Sequence, residues 1–456
     1  MLALAAAAVL VVGPAAATRL SEQLSRRVGP PTTPLTVTVA GLSPGEAVSV
    51  AFARRTLAQG NADQAGVFEA TIAVPAWARP GTHHVTATAG ADSVRRDFLV
   101  RTNWSQLGAG PTHLGLNRFE NVLSRSNVGT LRQLWLTPFA NHASPTSPQA
   151  AVGAGLVFVC DQNGILHALD ANTGATVWTY EFADQVLASS PAVADGTLYF
   201  TLNGSVIAFD ARTGSVVWGN TFANSPGSPA VANGRVYVAA ADLNVFDRTD
   251  GRLLWQGDLD AATGTTPAVD PLTGVAVVGT NLGTFYAFDA NGGKLWSLQL
   301  GTNAILGNPT IADGIVYIGN MDGQFFALDE ATGKTLWQQP IGGGRSPDGV
   351  STTPAISGST VYVTAGVLYA FDKNTGAKLW TTSVDSGSDP AIANGVVYVT
   401  GRTPSLTPAL FTVDASTGAI LATATIDESL VTGASVANGI VYFGGNQGNF
   451  FAYSTG

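Results

Sequence analysis

Ala168-Leu-Asp170-Ala-Asn-Thr-Gly174-Ala-Thr-Val-Trp178 decides the fold, because the chain repeats it. The copies are Asp170…Gly174…Trp178, Asp210…Gly214…Trp218, Asp247…Gly251…Trp255, Asp289…Gly292…Trp296, Asp329…Gly333…Trp337 and Asp372…Gly376…Trp380. A seventh, Asp414…Gly418…Ala422, has lost its Trp. The period is about 40 residues, the size of one propeller blade. Asp can accept backbone N–H groups, Gly permits a positive φ, and Trp offers a flat surface with one donor. The motif therefore reads as a joint between neighbouring units. Trp178, Trp218, Trp255, Trp296, Trp337 and Trp380 are expected to dock one blade on the next.

Between these joints the pattern is all-β. Ser190-Pro191, Ser228-Pro229, Thr266-Pro267, Asn308-Pro309, Thr353-Pro354 and Asp389-Pro390 each introduce a first strand. Runs such as Gly234-Arg-Val-Tyr-Val238 supply a second, and a third ends in the motif Asp. The last unit stops at Gly456 without a fourth strand. Its missing strand is found at the other end, where Asn127-Val-Gly129 and Trp135 stand alone. Setting 131–139 beside the last unit makes an eight-bladed ring over residues 104–456 and removes an exposed edge. Trp135 joins the docking set.

The N-terminal part reads differently. Leu2 to Gly13 is apolar and is followed by Ala15-Ala-Ala17, which predicts a signal peptide over 1–17. No Lys or Arg precedes the apolar stretch. The protein is therefore expected outside the cytoplasm, in the periplasm or at the cell surface, with no transmembrane span and as a monomer. Residues 18–34 are polar and Pro-containing and read as a linker. Residues 35–101 alternate in short runs, as at Leu35-Thr-Val-Thr-Val39, and predict a small immunoglobulin-like β-sandwich. Its vicinal His83 and His84 point to opposite faces of one strand and do not form a metal site.

Composition narrows function. The formal net charge is −9 and no Lys/Arg cluster exists, so nucleic acid is not an expected partner. The single Cys160 allows no intrachain disulfide and no haem attachment.

The Ala-x-Asp-x-x-x-Gly-x-x-x-Trp pattern resembles the tryptophan-docking motif of the pyrroloquinoline-quinone (PQQ) repeat family. The segment Trp104-Ser-Gln-Leu-Gly to Thr112-His-Leu-Gly115 looks like the lead-in of the same proteins. The resemblance implies one of two functions. Quinoprotein alcohol or sugar dehydrogenases of the family hold PQQ and Ca²⁺ on the propeller axis. BamB-like envelope proteins keep the blades without the cofactor and act as binding or assembly scaffolds. Here one Cys rules out the vicinal disulfide found in many of the dehydrogenases, the blades are near minimal, and no convergent acid/base set stands out. The expected function is therefore a non-catalytic scaffold for other envelope or extracellular proteins, with glycan or peptide binding as a further alternative. No catalytic or metal residue is assigned.

Ligand candidates are the polar residues where the repeat breaks its own rule. Asn308 and Asp389 replace the Ser or Thr that precedes the blade Pro elsewhere. Asp184, Arg345, Asp348 and Arg402 lie in the loops expected around one end of the axis.

Overall fold

The computed structural model describes residues 20–145, 148–182, 189–224, 227–342, 349–430 and 432–455. Residues 1–17, read as a signal peptide, lie outside the described residues, as do Asp184, Arg345 and Asp348. The chain divides into two compact units, 1–101 and 102–456. Both are built from β-strands, with only three short 3₁₀ turns among the described residues. None of these is long and apolar enough to cross a membrane.

The first unit has eight strands: β1 (Ser21–Leu24), β2 (Val28–Gly29), β3 (Pro34–Ala40), β4 (Ala47–Phe52), β5 (Arg55–Asn61), β6 (Val67–Ala73), β7 (Gly81–Ala89) and β8 (Asp92–Val100). One sheet has the order β1-β3-β6 and the other β2-β8-β7-β4-β5. Period-2 alternation sends Leu35, Val37 and Val39 into the core, where they meet Phe52, Val85 and Phe98. Burying a side chain of this size contributes about 1.5–3 kcal/mol each. The linker expected over 18–34 is corrected here. Ser21–Leu24 pairs antiparallel with Leu24 opposite Val37 and Ser21 opposite Ala40, and Val28–Gly29 pairs parallel with Leu99–Val100. Its composition is unlike a strand, but backbone pairing satisfies the open edge of β3. His83 and His84 make separate contacts. His83 stacks on Phe52 at 5.3 Å, and His84 Nδ1 lies 2.7 Å from Asp97.

Among the described residues the second unit contains eight consecutive sheets, antiparallel except where Leu116–Asn117 pairs parallel with Ile392–Ala393. Seven follow chain order: 151–181, 192–221, 230–257, 268–299, 310–340, 355–386 and 391–425. In the sixth, the second and third strands fall in one stretch, Thr360–Asp372. The eighth is composite. Ser435–Ala437, Ile440–Gly444 and Asn449–Ser454 take Arg132–Pro138 as their outermost strand, with Trp135 opposite Ala452.

The repeated motif works as a joint. Asp170 Oδ1 accepts from Asn172 N, Thr173 N and Thr173 Oγ1 at 2.9–3.1 Å, which closes the turn. Asp210 and Asp372 do the same, and the bonds from Thr213 and Thr375 hold both carboxyls below their ordinary pKa. Each Trp lies over the motif Gly of the next sheet. Trp296 covers Gly333, Trp337 covers Gly376, and Trp135 covers Gly174. The indole N–H then donates across the seam: Trp178 to Ala211 O (3.0 Å), Trp218 to Arg248 O (3.0 Å), Trp255 to Ala290 O (3.1 Å) and Trp296 to Glu330 O (2.8 Å). Trp135 joins the last sheet to the first by donating to Ala171 O, the carbonyl that also accepts from Tyr442 Oη.

The lead-in segment 104–117 serves all eight sheets. The innermost strand of a sheet has one edge without a neighbour, so its N–H groups need partners. Trp104 exchanges two backbone bonds with Val152. Ser105 O accepts from Val193 N, Pro111 O from Val269 N, Thr112 O from Ile311 N, Leu114 O from Ile356 N and Gly115 O from Ile392 N, at 2.6–2.9 Å. Gln106 bonds both N and O of Val231, and Asn117 Nδ2 donates to Val436 O. These eight partners sit at equivalent positions in the eight first strands. The segment is thus a collar running from sheet to sheet. Its His113 is fully buried, with Nδ1 2.8 Å from Pro309 O, and burial lowers its pKa to about 4.

Candidate functional site

The residues before the blade prolines form a second circle. In four of them a side chain accepts from the backbone N–H of the equivalent residue one sheet earlier. Ser190 Oγ accepts from Gln149 N at 2.9 Å, and Ser228 Oγ from Ser190 N at 2.8 Å. Asn308 Oδ1 accepts from Thr266 N at 2.6 Å, and Asp389 Oδ1 from Thr353 N at 2.7 Å. Asn308 and Asp389, singled out because they break the Ser/Thr rule, therefore make the same bond as the serines they replace.

They also make one more. Asn308 Nδ2 donates to Thr353 Oγ1 at 2.9 Å, and Thr353 Oγ1 donates to Asp389 Oδ2 at 2.9 Å. This relay spans three sheets. Removal from water pushes the Asp389 carboxyl up to about 6, and the two bonds from Thr353 act the other way. Thr353 was missed from sequence because it obeys the Ser/Thr rule. Only its position between two rule-breakers could have marked it.

This belt borders a cavity of about 500 Å³. Asn308, Asp389 and Arg402 all line it, joined by Asp385, Ser388 and the collar residue Leu107. Arg402 ends the strand Val396–Arg402 and is exposed. Its guanidinium makes no hydrogen bond or ion pair among the described residues. Asp385 sits at φ +40 at the end of Lys378–Ser386. Nothing in the sequence pattern flagged it.

A bound PQQ would be a planar aromatic ring system bearing three carboxylates. The described lining contains no aromatic side chain, and it sets two carboxylates against the single cation Arg402. That donor set does not fit the quinone. Among the described residues no three His, Cys, Asp or Glu converge as a metal-holding group.

A family profile described as outer membrane protein assembly factor BamB matches residues 120–274, 239–366 and 364–456. Tetrathionate hydrolase of Acidithiobacillus ferrooxidans is 27% identical over 277 residues, 53% of this chain and 53% of that protein. Outer membrane protein assembly factor BamB of Yersinia pestis is 25% identical over 246 residues, 48% of this chain and 62% of that protein. The chain thus spans about half to three-fifths of the length of these relatives. A europium-containing methanol dehydrogenase superposes with a TM-score of 0.65 at 14% identity, covering 77% of this chain and 98% of that one. At that identity the likeness shows the fold, a β-propeller. Because the profile runs through most of the second unit, the chain belongs to the PQQ-like repeat family described as outer membrane protein assembly factor BamB.

Proposed function

We propose that the second unit is an eight-bladed propeller closed by Arg132–Pro138, and that it acts as a BamB-type, non-catalytic scaffold for other envelope proteins. The observation that carries the reading is the belt. Asn308 and Asp389, the polar residues best placed to hold a ligand on the axis, are engaged by Thr266 and Thr353 in holding sheets together. A catalytic group needs a free lone pair or proton aimed at substrate. The first unit is read as an immunoglobulin-like sandwich, and the apolar start as a leader that places the protein outside the cytoplasm.

The rival reading is a quinone-dependent dehydrogenase, favoured by the likeness to methanol dehydrogenases and opposed by the cavity lining. Incubating the full chain with PQQ and Ca²⁺, followed by gel filtration, separates the two. The scaffold reading expects no retained quinone absorbance and no dye reduction with alcohols or sugars. One equivalent of retained quinone with turnover would overturn it.

A further inference from the structure

The first and second strands of a sheet in the second unit are joined by two residues in seven of the eight sheets, as at Asp195-Gly196 and Asn394-Gly395. The fourth sheet departs from this. Ala268–Val269 and Ala276–Gly279 are joined by residues 270–275, and the insertion carries Leu272 at 93% exposure. A leucine so exposed adds nothing to folding. Yet the loop that holds it is braced on every side. Asp270 Oδ1 accepts from Leu272 N at 2.8 Å, and Pro271 fixes its own φ. Asn233 Nδ2 of the third sheet donates to Pro271 O at 3.0 Å, and Thr273 Oγ1 donates to Glu330 Oε1 of the fifth at 2.7 Å.

Leu272 borders a cavity of about 650 Å³. Its apolar wall is Leu114 and Leu116 of the collar with Ile311 and Ile356 of the first strands. Its acidic groups are engaged: Glu330 by Thr273, Asp313 by Lys373, and Asp270 by the Leu272 N–H. Of its two cations, Lys373 pairs with Asp313 and Arg118 is left over. It is exposed, lines the same cavity, and makes no hydrogen bond or ion pair among the described residues.

We infer that this groove is a docking site for a short segment of a partner protein that presents an aliphatic side chain next to a carboxylate. The aliphatic group fills the groove against Leu114, Leu116 and the pre-positioned Leu272, and the carboxylate meets Arg118. A braced apolar residue loses little freedom on binding, and an arginine at the same groove can orient a carboxylate. The inference rests on the scaffold reading and adds where the partner binds and what it carries.

The groove is rich in methyl groups, so methyl-labelled full chain reads it directly. The probes are two blocked peptides, acetyl-Gly-Leu-Asp-Gly-amide and acetyl-Gly-Leu-Lys-Gly-amide. The Leu-Asp peptide is expected to shift the methyls of Leu114, Leu116 and Leu272 and to bind about fivefold tighter than the Leu-Lys peptide, the scale of one exposed charge contact. Arg118→Glu should reverse the order. Leu272→Ser should weaken both peptides while leaving the melting temperature unchanged. Equal affinity for the two peptides, or shifts confined to other methyls, would overturn the site. A second measurement separates the site from the scaffold reading. Benzoylphenylalanine replaces Leu272 or, separately, Asp195, in the native host. Adducts from position 272 that Arg118→Glu suppresses support the site. Adducts from 195 alone overturn it and leave the scaffold standing, and adducts from neither count against both.

Discussion

Adding one carbon at Gly333 tests whether the repeated motif is a joint. Gly333 has φ +72, and a Cβ there would lie 2.7 Å from Trp296 Cδ2. Gly314, in the same sheet, has φ +75 and nothing within 4 Å of its Cβ position. Both alanine substitutions incur the left-handed backbone cost, about 1–2 kcal/mol. Only Gly333→Ala also pushes an aromatic ring out of its seat, and over-packing of that kind costs about 1–3 kcal/mol more. The two variants should therefore differ by about 1–3 kcal/mol in denaturant unfolding followed by tryptophan fluorescence. Trp296→Leu in the Gly333→Ala background makes room for the methyl, so the double variant should recover part of the loss as a coupling energy. If the two glycine variants unfold within about 0.5 kcal/mol of each other, the close seat of Trp on Gly is not what holds the seam.

Trp296→Phe should cost about 1 kcal/mol more than Trp380→Phe, because Trp296 donates to Glu330 O whereas Trp380 Nε1 has no partner among the described residues; paired urea melts check this. Gln106→Ala leaves Val231 N without an acceptor inside the collar and should destabilise the second unit by about 1–3 kcal/mol in the same assay. Asp389 has its folded pKa raised to about 6, so the fold favours the neutral acid and loses that contribution as pH rises from about 4 through 6. Asp389→Asn should therefore match the parent near pH 4 and exceed it near pH 8, by about 1–2 kcal/mol after discounting the carboxyl's partial exposure to the cavity. Glu22 follows the same sign: its buried carboxyl is raised to about 7 with both oxygens unpartnered, so Glu22→Gln should slow amide exchange of Ser21–Leu24 at pH 8 and change it little at pH 5.

The repeating joints were legible because each uses the same residues for the same contact. Asp, Gly and Trp recur at fixed spacing, and 131–139 could be matched to the C-terminal sheet by its lone Trp135. The collar was not legible as a collar. It bonds mainly through main-chain carbonyls such as Ser105 O and Thr112 O, which any residue supplies, so it leaves no periodic signature. The strand Ser21–Leu24 was lost for a similar reason, since its pairing to β3 is backbone and its side chains read as linker. Among the site candidates, Asn308 and Asp389 were found from the broken repeat and Arg402 from its loop, and all three line one cavity. Their hydrogen-bond partners were hidden, because Thr353 looks ordinary and the contact crosses 36 residues of sequence to Asp389.

A departure from a repeat has to be explained before it is treated as a site, and the seventh copy shows how. Ala422 stands where six earlier copies place Trp, on the strand that faces the eighth sheet. The eighth sheet has no third-to-fourth turn, because its third strand ends at Ser454 and its fourth begins at Arg132. The place of that turn is taken by the short 3₁₀ turn Val128–Thr130, which packs on the strand Ile420–Thr425 that carries Ala422. Tyr398 of the seventh sheet reports the same gap. Its equivalents Tyr362 and Tyr442 donate to Ala415 O and Ala171 O, whereas Tyr398 Oη has no partner among the described residues. The loss at 422 thus follows from the way the ring closes. Asn308 and Asp389 are explained in the same way, by the bonds they make within the belt. The insertion at 270–275 resists this treatment. The sheet closes without it in seven other cases, and its bracing holds Leu272 exposed at the cavity that Arg118 also lines, an arginine with no partner among the described residues. Of the departures described, this is the one whose side chains are arranged for something outside the chain.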